Sequence, residues 1–131
     1  MQSTDRARPV IGFLTDFGLD GAVATCKGVM LSICPDAQVV DVAHTVRKYA
    51  IRDGGFLLRF ALPYFPVGVH VGVVDPGVGS ERRPILIHSA GHYFVGPDNG
   101  VFSFALKDKE SLVIVHLSNE AYHSQPKSQT F

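Results

Sequence analysis

The sequence is poor in cysteine, has no excess of either charge and contains no long hydrophobic run, and each shortage removes a class of function. Twelve Lys and Arg balance twelve Asp and Glu over 131 residues. A phosphate backbone or an anionic membrane surface calls for a basic surplus, so neither nucleic acid nor membrane is an expected partner. No apolar stretch approaches the ~20 residues of a membrane span. The opening MQSTDRARP has no apolar signal core, which predicts a cytoplasmic location. Cys26 and Cys34 fall on and at the end of one expected helix, about 12 Å apart at 1.5 Å per residue, too far for a disulfide. His88 and His92 are four apart but flank Ser89-Ala90-Gly91 as the two sides of a hairpin, so no metal site is expected. No G-x-G-x-x-G follows the first strand and no G-x-x-x-x-G-K-[ST] occurs, which disfavours a nucleotide diphosphate. Internal repeats and low-complexity segments are lacking too.

What remains is a chain of one-domain length, 46% hydrophobic and 18% charged, enough for a single core. Residues 1–8 are polar and expected to be disordered, leaving 9–131 as the domain. Val10 to Leu14 reads as a buried strand. Ala22, Val23, Cys26, Val29, Met30 and Ile33 recur at three- and four-residue steps as one face of a helix, with Asp20 as an N-cap candidate and Pro35-Asp36 as the stop. Gln38 to Ala43 supplies a second strand. Tyr49 to Leu62 predicts a second helix whose Gly54-Gly55 pair, costing roughly 1 kcal/mol per Gly against Ala, implies a close approach. Val69 to Val74 is a third strand. Ile85 to His88 and Tyr93 to Val95 flank a short loop, Gly96 to Gly100 is a dense turn signal, Val101 to Leu106 reads as a short helix, and Leu112 to Leu117 as a last strand. Strands alternating with helices predict a three-layer α/β/α sandwich around a mostly parallel sheet.

Ligands of such sheets sit beyond the carboxyl ends of the strands, and acids gather there. Asp16 and Asp20 follow the first strand, and Asp75 ends the third, in VHVGVVDPGVGSERR, with Arg82 seven residues on. Asp is also a common turn former and cap, and an Asp-Arg pair can be a plain surface ion pair. Acids at two parallel strand ends nonetheless offer what a ribose diol needs, acceptors for two hydroxyls.

Several blocks, in order, are Thr15-Asp16-Phe17-Gly18, Cys26-Lys27-Gly28, Ile33-Cys34-Pro35, Val40-Asp41-Val42-Ala43-His44, Val73-Val74-Asp75-Pro76-Gly77-Val78-Gly79, Glu81-Arg82 and Gly96-Pro97-Asp98-Asn99-Gly100. With these the chain resembles the N-terminal domain of the S-adenosylmethionine (SAM) hydroxide adenosyltransferases, SAM hydrolases related to the SAM-dependent fluorinase and chlorinase. The resemblance implies attack of water on C5′ of SAM, giving adenosine and methionine, with SAM as substrate and no cofactor. It implies that Asp75 and Arg82 belong to an Asp-Arg-His set that polarises the water, and that Asp16 chelates the ribose hydroxyls. Asp20 matches an acidic neighbour, Tyr49 an aromatic walling the pocket, and Thr130 and Phe131 the start of a T-F motif at its floor. The family histidine follows that T-F pair, where this sequence stops, and the smaller C-terminal β-barrel domain, which binds adenine from a neighbouring subunit of a homotrimer, is not represented. A SAM halogenase, or an inactive nucleoside-binding fragment, are the alternatives. A carboxylate at Asp75 would repel a halide, which favours water.

Overall fold

In the computed structural model, which describes residues 8–106, 109 and 111–123, six strands form one sheet in the order β2-β1-β3-β5-β4-β6. They are β1 (Val10–Thr15), β2 (Gln38–Ala43), β3 (Val69–Val73), β4 (Pro84–Ser89), β5 (His92–Pro97) and β6 (Val113–His116). The pairs β1–β2, β1–β3 and β3–β5 run parallel, while β4 pairs antiparallel with β5 and β6. The sheet is parallel in its first half and antiparallel at the far edge. This follows from local sequence: the first three strands are separated by helix-length segments, β4 and β5 by Ala90-Gly91 alone. Both turn residues have positive φ, 50° and 82°, as a two-residue hairpin turn requires.

The helices are α1 (Ala22–Ile33) and α2 (Ile51–Ala61). From β1 the chain steps to β2 on one side, then crosses back over β1 to β3 on the other. Right-handed crossovers in opposite directions place α1 and α2 on opposite faces of the sheet, which gives the three layers. The core lies under α2, where Leu14, Leu58, Val74, Ile87, Phe94 and Phe102 are buried together.

The Gly54-Gly55 pair is explained by this packing. A Cβ on Gly54 would sit 3.0 Å from Val74 Cγ2, and one on Gly55 would sit 3.0 Å from the Val101 carbonyl oxygen. The helix thereby gives up about 1 kcal/mol of propensity per glycine for a closer seat on β1 and β3.

Several expectations change. The second helix starts at Ile51 rather than Tyr49, and ends at Ala61. Residues 101–106 form a run of turns, not a helix, and within it the Phe102 ring lies against Gly72 and Gly96, where a Cβ would come within 2.9 Å of the ring. The apolar face of α1 is not buried in this chain. None of its residues is fully covered, and Ile33 is 77% exposed. Gly21, not Asp20, holds the N-cap position, although Asp20 Oδ1 still accepts the Ala22 N–H at 3.1 Å. Cys26 and Cys34 are free thiols.

A candidate active site at the ends of β1 and β3

The chain leaves β1 towards β2 on one side and leaves β3 towards β4 on the other, so the loops after β1 and β3 diverge along the sheet and leave a crevice between them. Asp16 and Asp75 stand at its two sides. The ends of the strands are tied directly, the Asp16 N–H reaching the Val73 carbonyl at 3.4 Å. The crevice has a volume of about 270 Å³ and is lined by Asp16, Phe17, Asp20, Ala22, Lys48, Tyr49, Val73, Asp75 and Val78.

Asp75 is 6% exposed. Its Oδ2 receives Arg82 Nε at 2.7 Å and Arg82 Nη2 at 2.5 Å. Its Oδ1 is buried with no hydrogen-bond partner among the described residues. A buried carboxylate is tolerated when a cation and hydrogen bonds compensate it, and here one oxygen receives all of that compensation. The loop that makes this possible is short of side-chain bulk: a Cβ on Gly77 would sit 3.3 Å from Arg82 Cγ and 3.7 Å from Asp75 Oδ1. Asn99 supports the strand end from behind. Its Nδ2 donates to the Val74 carbonyl at 2.8 Å while its Oδ1 accepts the Val101 N–H.

Asp16, also 6% exposed, accepts the Tyr49 backbone N–H on Oδ2 at 2.7 Å. Tyr49 has φ +64°, a left-handed conformation that costs a non-glycine residue about 1 kcal/mol or more. That conformation is what turns its amide toward Asp16 and starts α2 two residues late. The helix is entered through a tight turn at Ala50 (φ −80°, ψ 76°), where the Ile51 N–H reaches back to the Tyr49 carbonyl. The Tyr49 ring, half exposed, has Lys48 Nζ 5.4 Å from its centre.

Of the residues singled out in the sequence, Asp16, Asp20, Tyr49 and Asp75 meet in this one crevice, and Arg82 joins it through Asp75. Thr130 and Phe131 lie outside the described residues. The sequence reading missed Lys48, and it missed Asn99 as a support although the Gly96 to Gly100 turn was recognised. It also missed Thr15 and His44, whose side chains meet just behind Asp16 at 2.8 Å. The signals available for those two were their place in the blocks Thr15 to Gly18 and Val40 to His44 and their position at the ends of adjacent parallel strands.

The sheet order and the acids at its switch point define a doubly wound α/β domain with a charged crevice. Comparison with known proteins gives the family: residues 11–131 match the SAM hydroxide adenosyltransferase N-terminal domain, and the chain belongs to that family. It is 40% identical over 119 residues to a protein of Methanocaldococcus jannaschii named (R)-S-adenosyl-L-methionine hydrolase, covering 86% of this chain and 45% of that one. It is 29% identical over 153 residues to a Nocardia brasiliensis protein named fluorinase, covering 97% of this chain and 51% of that one. A solved structure of an uncharacterised conserved protein from Thermotoga maritima superposes with a TM-score of 0.85 at 35% identity, covering 92% of this chain and 48% of that chain. The chain thus spans about half the length of the relatives it matches.

Proposed function

We propose that this chain is the catalytic-residue-bearing half of a SAM hydrolase, in which water attacks C5′ of SAM in line with the C5′–S bond and releases adenosine and methionine. The observation that carries the reading is the Asp75–Arg82 pair facing Asp16 across the crevice. A sulfonium leaves as a neutral thioether, so no acid catalyst and no cofactor are called for. The difficulty is a weak nucleophile that must be held in position, and orientation of that kind is worth several kcal/mol (roughly 7 or more in the best-aligned systems).

Asp75 is the group proposed to orient and polarise the water, with Arg82 holding it ionised and fixed through Oδ2. Asp16 is proposed to take the ribose diol on the carboxylate that Tyr49 N–H steadies. Among the charged residues lining the crevice, three carboxylates (Asp16, Asp20 and Asp75) face the single ammonium of Lys48. That balance suits a sulfonium substrate and opposes entry of a halide, so hydrolysis is favoured over halogenation. The Tyr49 ring is proposed as the wall beside C5′.

The remaining half of the relatives' length is proposed to complete the adenine site in a cytoplasmic homotrimer. Free Cys26 and Cys34 fit a reducing compartment. The uncovered apolar side chains of α1 and of β6, where Val113 and Ile114 are 56% and 58% exposed, fit a surface that is covered on assembly.

The test is to incubate the chain with SAM, measuring methionine and adenosine, and to titrate it with adenosine by calorimetry. Release of both products is the expected result once the chain is supplied with the remaining half proposed to complete the adenine site. Adenosine binding without release supports the alternative of a nucleoside-binding remnant, and neither release nor binding rejects the reading.

A further inference from the structure

Behind Asp16, four side chains from β1, α1 and the end of β2 join in one hydrogen-bonded line. Thr15, fully buried at the end of β1, accepts the Phe17 N–H on Oγ1 at 3.2 Å and lies 2.8 Å from His44 Nδ1. His44 Nε2 is 2.6 Å from Asp41 Oδ1 on β2, and Lys27 Nζ of α1 donates to Asp41 Oδ2 at 2.7 Å. The donor inventory sets the direction. A carboxylate held by Lys27 can only accept, so Nε2 carries the proton, and Nδ1 is the ring nitrogen that shares a hydrogen bond with the Thr15 hydroxyl. The Lys27 ammonium, ahead of the His44 contact, holds the Asp41 carboxyl below its ordinary value, keeping it an acceptor. His44 grips the same loop a second time through its carbonyl, which accepts the Gly18 N–H at 2.8 Å. Phe13 abuts the imidazole edge-on at 4.9 Å and fixes its plane.

Thr15 is too buried to act as a nucleophile, so its resemblance to a hydroxyl–imidazole–carboxylate triad is not a reaction centre. What the line does is mechanical. It clamps the residues on both sides of Asp16, Thr15 through its hydroxyl and Phe17 and Gly18 through their amides. It also anchors, at His44, the loop that five residues later presents the Tyr49 N–H to Asp16.

We infer that Thr15, His44, Asp41 and Lys27 form a positioning relay that sets the orientation of the Asp16 carboxylate, so that affinity for a vicinal diol is governed in part from the outer helix α1. The inference rests on the reading of Asp16 as the diol acceptor. None of the four touches the reacting atoms; they are positioning residues.

The experiment compares Thr15→Val, Thr15→Ser and His44→Asn by adenosine titration and by hydrogen exchange of the Phe17, Gly18 and Tyr49 amides, with the amides of β4 and β5 as internal reference. Thr15→Val keeps the branched shape and removes the hydroxyl. It should weaken adenosine binding about tenfold and speed exchange at those three amides while leaving the reference amides alone. Thr15→Ser restores the hydroxyl and should return both readouts to near wild type. His44→Asn keeps an acceptor near the Nδ1 position and loses Asp41, so it should fall between the two; it serves as the decisive variant if Thr15→Val does not fold. Wild-type affinity and exchange in Thr15→Val overturn the relay, as does equal damage in Thr15→Ser, which would assign the effect to packing. If the wild-type chain by itself does not bind adenosine, because the half proposed to complete the adenine site is absent, selective against uniform exchange decides the relay by itself.

Discussion

Arg82 holds Asp75 by one oxygen. Nε and Nη2 both meet Oδ2, at 2.7 and 2.5 Å, while Oδ1 is buried with no hydrogen-bond partner among the described residues. Removing the guanidinium would strand a carboxylate whose side chain is 4% exposed. Arg82→Ala is expected to lower unfolding stability by about 3 kcal/mol. Adding Asp75→Asn should recover much of that loss, because a neutral amide needs no counter-charge. Urea denaturation of the two single variants and the double variant checks this; strict additivity would show that the pair does not interact energetically.

Asp16 offers a second test through the ligand rather than the protein. If its carboxylate accepts both ribose hydroxyls, 2′-deoxyadenosine should bind the wild-type chain at least about tenfold more weakly than adenosine, since a hydrogen bond to a charged group is worth ~1.5–3 kcal/mol. In Asp16→Asn the two nucleosides should bind alike. Calorimetric titration of both proteins with both ligands reads the difference directly.

Glycines at two places in the helices should respond in opposite directions to alanine. Gly28 on α1 has nothing within 4 Å of a built Cβ, so Gly28→Ala should raise stability by about 1 kcal/mol through helix propensity. A Cβ at Gly55 would sit 3.0 Å from both the Val101 carbonyl and Phe104 Cδ2. Overpacking of about 1–3 kcal/mol should outweigh the same propensity gain, and Gly55→Ala should be destabilising. Thermal melts of the two variants settle the signs.

The stability of the fold should fall in mild acid because of His70. This residue is 1% exposed between Phe65 and Phe94, its Nε2 2.9 Å from His92 Nδ1 and its Nδ1 without a partner among the described residues. Burial, and secondarily the neighbouring His92, lower its pKa from 6.5 to about 4. Burial lowers His92 as well, with Lys109 adding to it. The unfolded chain therefore takes up protons that the folded chain refuses. Full stability is expected above pH 6.5, and it is lost as the pH falls from 6.5 towards about 4. The His70 part amounts to about 3 kcal/mol at most. Urea midpoints across that window should decline in the wild type and decline less steeply in His70→Leu.

Much of the site was legible before any coordinates, and the reason is local. Val10 to Thr15 and Val69 to Val73 are apolar runs of strand length, and an acid following such a run lies beyond the carboxyl end of a strand whatever the sheet order. The hairpin was readable for the same reason, a short Gly-containing loop at Ser89 to His92 between two apolar runs, though the structure narrows the turn to Ala90-Gly91. The Gly54-Gly55 pair announced a close approach by its cost to the helix, though what approached had to come from the packing of Val74 and Val101.

The composition and spacing of this sequence determined its α/β class, its main strands and helices, and the acids and guanidinium that stand at the strand ends. Tertiary structure alone decided that β1 and β3 are neighbours at the point where the chain reverses direction, which is why Asp16 and Asp75 share a crevice. It also decided the left-handed turn at Tyr49, the Thr15–His44–Asp41–Lys27 line and the uncovered face of α1. Periodicity records which way a side chain points within its own element. It carries no record of which other element supplies the partner, because that choice is made by the hydrogen-bonding and burial of the whole sheet at once.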